Sequence, residues 1–338
     1  MTDLQPLIFD QHLLDLGPSF YSELRPQPLR NPRVVRFDPD TAALLGLPDA
    51  VRDDPGFVDL FSGNRLPTGC RPLALDYAGH QFGRFNPFLG DGRVLILGSL
   101  DTPAGRLEIS LKGAGATPYA RGLDGRAGLS ECLNEFESSR RLAALGIPTA
   151  RCLCVIAGDE QVDRGGFEPA AVLVRAAPSH LRFGTFENCY FQRDTDALRH
   201  LADYLIDHHY RDRVPPMIDR HAALLRAMVE DAARLVARWQ AAGFVHGMMN
   251  TDNQSVVGIT LDLGASAFTE TYDDDFVASP ADQKGRYAFG EQPVVGLWNC
   301  NVLARSLSPL LPPAALREAL GIYEPEYLRA YAALTARE

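Results

Sequence analysis

A change of hydrophobic period along the chain sets the strongest limit on its fold. In the first half, Val94-Leu95-Ile96-Leu97 is a short apolar run. A connection holding Pro103 and Gly105 then leads to Leu107-Glu108-Ile109-Ser110-Leu111, which alternates apolar and polar residues and ends on Lys112. Alternation of this kind marks strands. A helix is expected over 130–145, capped near Ser130 and stopped by Gly146-Ile147-Pro148. In the second half the spacing is helical, with Leu224, Leu225, Met228 and Leu235 inside an expected helix at 220–242. Further helices are expected at 196–208, at 293–307 and in two short terminal segments, the last near 326–336. A chain that mixes strands and helix first and turns helical later reads as α+β in two lobes. Residues 1–76 form an N-terminal extension packed on the core, with a helix near 41–45, followed by a small mixed lobe at 77–178 and a helical large lobe at 179–338.

Composition narrows the function classes. The 338 residues are 46% hydrophobic and carry a net charge of −10, enough to bury a substantial core. The acidic balance, with no basic run to neutralise a phosphate backbone, argues against nucleic acid as a partner. No apolar run approaches membrane-spanning length, so no membrane partner is expected. The start, Met1-Thr2-Asp3-Leu4-Gln5, has neither the order of a secretory signal nor an Arg-rich transit pattern. The six cysteines show no C-x-x-C pair, and Cys152-Leu153-Cys154 would place both sulfurs on one face of a buried strand. A reduced, cytoplasmic protein is the expected reading, with the oligomeric state left open.

The chemistry is carried by His246-Gly247-Met248-Met249-Asn250-Thr251-Asp252-Asn253, followed by Asp262-Leu263-Gly264. This run resembles a protein-kinase active site. In the kinase pattern H-R-D-x-x-x-x-N the Asp takes the substrate proton, the Asn holds Mg²⁺, and a later D-F-G supplies a second metal ligand. Here the seven-residue step from His246 to Asn253 is kept, but Met248 occupies the base position, and a thioether cannot accept a proton from a hydroxyl at neutral pH. The upstream parts stand in kinase order. Gly90-Asp91-Gly92-Arg93 supplies a glycine turn, Lys112 a phosphate-pairing lysine, and Glu135 on the following helix a carboxylate to hold that lysine. Glu137 is turned well away from Glu135.

Six runs together resemble the selenoprotein O family. They are Tyr77-Ala78-Gly79-His80-Gln81-Phe82-Gly83, Leu89-Gly90-Asp91-Gly92-Arg93, Leu111-Lys112-Gly113-Ala114-Gly115-Ala116-Thr117-Pro118-Tyr119, Asp124-Gly125-Arg126-Ala127, the 245–253 loop and Gly285-Arg286-Tyr287. The resemblance implies a protein-kinase-like two-lobed fold, with a small mixed α/β N-lobe and a mostly helical C-lobe that is C-terminally shortened. The implied activity is that of a protein adenylyltransferase, which binds ATP reversed and moves AMP to Ser, Thr or Tyr hydroxyls of proteins. It also implies residue roles: Lys112, Arg175 and Arg182 on the phosphates, and Gly90, Gly92, Arg93, Asp124 and Gly125 lining the nucleotide site. Asn253 and Asp262 would bind Mg²⁺, with Asp262 also facing the nucleotide, and Asp252 would accept the proton. Asp and Asn oxygens admit Mn²⁺ as well. No cysteine follows Cys300, so the cysteine or selenocysteine that relatives carry near the C-terminus has no counterpart.

Three activities are compatible with these motifs. One is transfer of AMP. The second is ordinary phosphorylation or transfer of another nucleotide such as UMP, because the motifs read phosphate better than base. The third is a non-catalytic ATP-binding regulator, in keeping with Met248.

Overall fold

The computed structural model describes residues 7–216 and 219–336. The start at 1–5, read above for a leader, lies outside them. The chain forms two compact units: one from residues 1–76, 88–143 and 149–180, the other from 77–87, 144–148 and 181–338.

In chain order the first unit contributes β1 (Tyr21–Glu23), β2 (Arg33–Phe37), α1 (Pro39–Leu44), α2 (Pro55–Phe61) and β3 (Leu73–Leu75). A hairpin of the second unit follows, β4 (Gly79–Gln81) and β5 (Arg84–Asn86). The first unit then resumes with β6 (Val94–Thr102), β7 (Gly105–Lys112), β8 (Ala127–Gly128), α3 (Leu129–Ala144), β9 (Arg151–Asp163) and β10 (Phe167–Ala177). Its sheet has the order β1-β3-β6-β7-β10-β9-β2, with β8 added on β10, and every pairing is antiparallel. The N-terminal segment is therefore built into the sheet, supplying β1, β2 and β3.

The alternation in β7 has a clear physical outcome. Leu107, Ile109 and Leu111 enter an apolar core with Ala42, Leu45, Phe57 and Phe61. Phe57 and Phe61 meet edge to face with ring centroids 4.7 Å apart, and each buried ring contributes roughly 1.5–3 kcal/mol. Glu108, Ser110 and Lys112 alternate with these residues and are also buried, so the opposite face of the strand is a polar row that must find partners.

Two local expectations are corrected. Ser130 does not cap α3, since it lies inside the first turn. Its N–H and hydroxyl both donate to the Glu168 carboxylate from β10, at 2.7 and 2.9 Å, so an anion from the sheet serves the helix N-terminus. The cysteines of β9 do not share a face. The pairing with β10 jumps from Cys154 to Cys152, leaving Leu153 as an extra residue. That bulge sends Cys152 toward Cys132 and Phe136 of α3, and Cys154 into the other core with Leu153 and Ile156.

The second unit is mostly helical: α4 (Phe183–Phe191), α5 (Thr195–Leu205), α6 (Arg220–Ala241), α7 (Gln292–Ser306), α8 (Pro313–Leu320) and α9 (Tyr323–Thr335). Two short strands between α6 and α7, β11 (Phe244–Val245) and β12 (Ala267–Phe268), pair antiparallel and frame the loop motifs. The segment 77–87 belongs with these helices because its hairpin bonds to the 250–252 loop. Among the described residues, no helix is long and apolar enough to cross a membrane.

Candidate active site

In the first unit, the polar row of β7 meets α3. Lys112 Nζ lies 2.5 Å from Glu135 Oε2, the pairing expected from the motif order. Glu135 also receives Arg175, whose Nη1 donates to Oε1 at 3.1 Å from β10. One turn earlier on α3, Glu131 lies 2.8 Å from Lys112 and accepts both terminal nitrogens of Arg93, at 2.8 and 2.6 Å. Arg93, Glu131, Lys112, Glu135 and Arg175 thus alternate in sign along a chain of ion pairs. Burial pushes the Glu131 carboxyl up, but the charges and hydrogen bonds of Lys112 and Arg93 together outweigh it and hold it at about 2.

The glycine turn sits beside this cluster for steric reasons. Gly90 has φ +98°, and a Cβ there would lie 2.5 Å from the Tyr119 ring. A Cβ on Gly92 would lie 2.9 Å from the Tyr119 carbonyl oxygen. The backbone N–H groups of Gly113 and Thr117 donate to the Arg93 and Gly92 carbonyls, so the 113–125 loop closes on the turn. That loop is shut at its base by Gly115 N–H to the Gly125 carbonyl at 3.1 Å. Asp124 departs from the group: its Oδ1 accepts from Arg126 N–H at 2.9 Å and from Arg164 at 2.5 Å, on the β9–β10 hairpin side.

In the second unit, a net of buried amides shapes the 246–253 loop. Gln292 of α7 accepts from His246 N–H and donates to Gln240 and to the Phe244 carbonyl, while Asn299 donates to the Met249 carbonyl. His246 Nε2 bonds the Leu261 carbonyl and its Nδ1 accepts from Met248 N–H, so one neutral imidazole ties the loop to the segment leading into Asp262. Asn253 donates its amide to the Met248 carbonyl at 2.9 Å. Arg182, at the N-cap of α4, bonds the Asp252 carbonyl at 2.7 Å and the Asp262 carboxylate, and lies over the Tyr77 ring at 4.9 Å. Asp262 adopts a left-handed conformation, φ +55°.

Asp252 is buried, and burial pushes its carboxyl up to about 6 against the lowering effects of Gln81 and Arg182. Its Oδ2 accepts from Gln81 Nε2 at 3.0 Å, while Oδ1 has no hydrogen-bond partner among the described residues. Asn253 and Asp262 offer an amide oxygen and a carboxylate, a donor set that suits a hard cation whose remaining ligands are phosphate oxygens and water. Among the described residues, no group of three or more His, Cys, Asp or Glu is placed to hold a metal ion.

The structure therefore gathers Arg93, Lys112, Glu135 and Arg175 in the first unit, and Arg182, Asp252, Asn253 and Asp262 in the second. It adds residues to which sequence reasoning assigned no role. Glu131 was legible in principle from its i, i+4 spacing to Glu135. Ser110 accepts from Arg175 Nε at 3.4 Å and bonds His180 Nε2 at 2.9 Å, and His180 Nδ1 in turn lies 2.9 Å from Glu108. This serine–histidine–carboxylate chain is fully buried and braces Arg175. Gln81 gave no signal by spacing, because its partner is 171 positions away.

A strand lysine held by helix carboxylates in one unit, and an Asn and an Asp on ordered loops of the other, are the kinds of group that a nucleotide-dependent transferase uses. The family model described as protein adenylyltransferase SelO matches residues 3–338, and the chain belongs to that family. Relatives named protein nucleotidyltransferase YdiU from Pseudomonas fluorescens and Pseudomonas paraeruginosa are each 44% identical over 338 residues, covering 100% of this chain and 69% of theirs. The relative of the same name from Erwinia tasmaniensis is 46% identical over 313 residues, 92% of this chain and 65% of its own. A solved structure of ROP2 from Toxoplasma gondii, described as a virulence factor with a protein-kinase fold and no enzymatic activity, covers 80% of this chain and 83% of its own at 11% identity, with a TM-score of 0.34.

Proposed function

We propose that this chain is a protein adenylyltransferase that moves AMP from ATP to Ser, Thr or Tyr hydroxyls of protein substrates. The observation that carries the reading is the carboxyl of Asp252, buried with one oxygen bonded to Gln81 and the other without a partner among the described residues, in a loop whose kinase-base position holds Met248. The base has moved four residues along the loop. This suits an ATP molecule that lies reversed and offers its α-phosphate.

In this reading Lys112, Arg175 and Arg182 bind phosphate oxygens, and Gly90, Gly92, Arg93 and Gly125 line the rest of the nucleotide site, with Asp124 held aside by Arg126 and Arg164. Guanidinium groups suit phosphate because their planar donors bind two oxygens at once. Asn253 and Asp262 would hold Mg²⁺ or Mn²⁺, which when bound supplies charge neutralisation for the phosphates. The acceptor oxygen attacks the α-phosphorus, the bond to the β-phosphate's bridging oxygen breaks, and pyrophosphate leaves with that electron pair. Asp252 takes the hydroxyl proton on its unpartnered oxygen. A carboxyl at about 6 remains largely ionised at neutral pH, so it is ready to act as a base.

Intact-mass analysis of the protein and candidate substrates after incubation with ATP and Mg²⁺, alongside Asp262→Ala, tests this. An AMP adduct that disappears in the variant is the expected result. A phosphate adduct would restore the kinase reading, and ATP binding without any adduct would make the chain a non-catalytic regulator. The relatives' printed name, nucleotidyltransferase, leaves the nucleotide open, so UMP transfer is the second reading. A parallel incubation with UTP decides between the two.

A further inference from the structure

The hairpin at 77–87 fits the 250–252 loop residue by residue. His80 N–H donates to Thr251 Oγ1 at 2.7 Å, and Phe82 N–H is shared between Asn250 Oδ1 at 3.1 Å and the Tyr287 hydroxyl at 2.9 Å. Between them Gln81 reaches Asp252 Oδ2 at 3.0 Å. The approach is close because Gly79 carries no side chain, and a Cβ there would lie 3.0 Å from the Asp252 Cβ. The turn is also specified. Phe82 and Gly83 both have positive φ, 50° and 78°, the two-residue turn that places Gln81 directly opposite Arg84. A left-handed phenylalanine is a strained conformation that needs support from its surroundings. Its bonds to Asn250 and Tyr287, and the stacking of its ring on Tyr287 at 5.2 Å, hold it there.

Of these contacts, the one from Gln81 ends on the Asp252 carboxylate, and it ends on one oxygen. We propose that Gln81 is a positioning residue for the transfer reaction: by holding Oδ2 it sets the rotation of the Asp252 carboxylate, so that Oδ1 faces the incoming hydroxyl. The inference rests on Asp252 being the proton acceptor. The amide is suited to the task because it donates a directional hydrogen bond without adding charge beside the carboxylate. Gln81→Leu keeps side-chain bulk and removes the donor, while Gln81→Glu replaces the donor with a second carboxylate.

The experiment compares wild type, Gln81→Leu, Gln81→Glu, Asp252→Asn and the Gln81→Leu/Asp252→Asn double variant in steady-state transfer. Gln81→Leu is expected to lower kcat roughly 10- to 100-fold, as misplacing a catalytic group does, with KM for ATP unchanged within about twofold, as expected when ground-state binding is untouched. Gln81→Glu should fall at least as far. The double variant should match Asp252→Asn, because Gln81 acts only through that carboxylate. Wild-type kcat in Gln81→Leu while Asp252→Asn is impaired overturns the proposal, as does a double variant slower than Asp252→Asn. Full activity in Asp252→Asn instead overturns the reading of Asp252 as acceptor, and with it the role of Gln81. A measurement independent of activity completes the test: the Gln81 side-chain ¹⁵NH₂ resonances should shift on Asp252→Asn, and unchanged resonances would disprove the contact.

Discussion

Glu131 and Glu135 lie one turn apart on α3 and hold the same ammonium, with Lys112 Nζ 2.8 Å from one and 2.5 Å from the other. Each carboxylate also holds an arginine, Arg93 on Glu131 and Arg175 on Glu135. The lysine is thus fixed from two sides, which limits the freedom of its flexible stem.

This arrangement predicts a pH dependence of stability. The Glu131 carboxyl sits at about 2 in the fold against an ordinary 4.5, so the unfolded chain binds its proton first as the pH falls. Its contribution is complete above about pH 5 and is lost as pH falls from about 4.5 to 2. Glu131→Gln should therefore be less stable than wild type at pH 7, by on the order of 2–3 kcal/mol. The gap should close on acidification, as followed by urea unfolding at several pH values.

Glu135→Ala leaves Arg175, fully buried, without this partner carboxylate. Removing one side of such a pair costs about 3–5 kcal/mol. The expected outcome is a lower unfolding midpoint together with weaker ATP binding, measured by calorimetry.

Two glycines of one loop separate conformational strain from steric clash. Gly122 has φ +80° and nothing within 4 Å of where a Cβ would stand, whereas Gly125 has φ +67° and a Cβ would lie 2.1 Å from the Ala116 nitrogen. Gly122→Ala should cost only about 1–2 kcal/mol of left-handed strain. Gly125→Ala should cost several-fold more and displace the 113–125 loop, as seen in thermal melts and loop proteolysis.

The Tyr287 hydroxyl accepts from Phe82 N–H and donates to Asn250 Oδ1 at 2.5 Å. Tyr287→Phe removes both bonds and should destabilise by about 1–3 kcal/mol. Amide exchange at Phe82 should rise in the variant, because the hairpin loses one of its ties to the loop.

Asp252→Ala should abolish transfer while leaving ATP affinity within about threefold, since its carboxylate bonds Gln81 and is assigned no phosphate contact. Equilibrium binding of ATP alongside the mass assay checks this. Retained transfer would remove Asp252 from the reaction.

Much of the site was legible because its parts are local or carry fixed spacing. Lys112 ends an alternating strand, Glu135 rides the next helix, and His246, Asn253 and Asp262 keep the intervals of a known loop. The helix expected at 220–242 from apolar spacing and the one expected at 293–307 both fall within a residue of their observed bounds. Ser130 misled, because a helix can borrow its N-terminal anion from a distant strand, here Glu168. The cysteine pair misled because a bulge, invisible in a short alternating run, reverses every later side chain.

Period, residue chemistry and short intervals in the chain set the α+β order of elements and the polar row of β7, and they name the groups proposed to bind phosphate and take a proton. Which groups meet depends on long-range packing. Glu131 joins Lys112 to Arg93, His180 braces Arg175 through Ser110, and Gln81 finds Asp252 across 171 positions. Such pairings are set by sheet register, helix placement and the close approach that Gly79 permits, and none of these is encoded in the spacing of neighbouring residues.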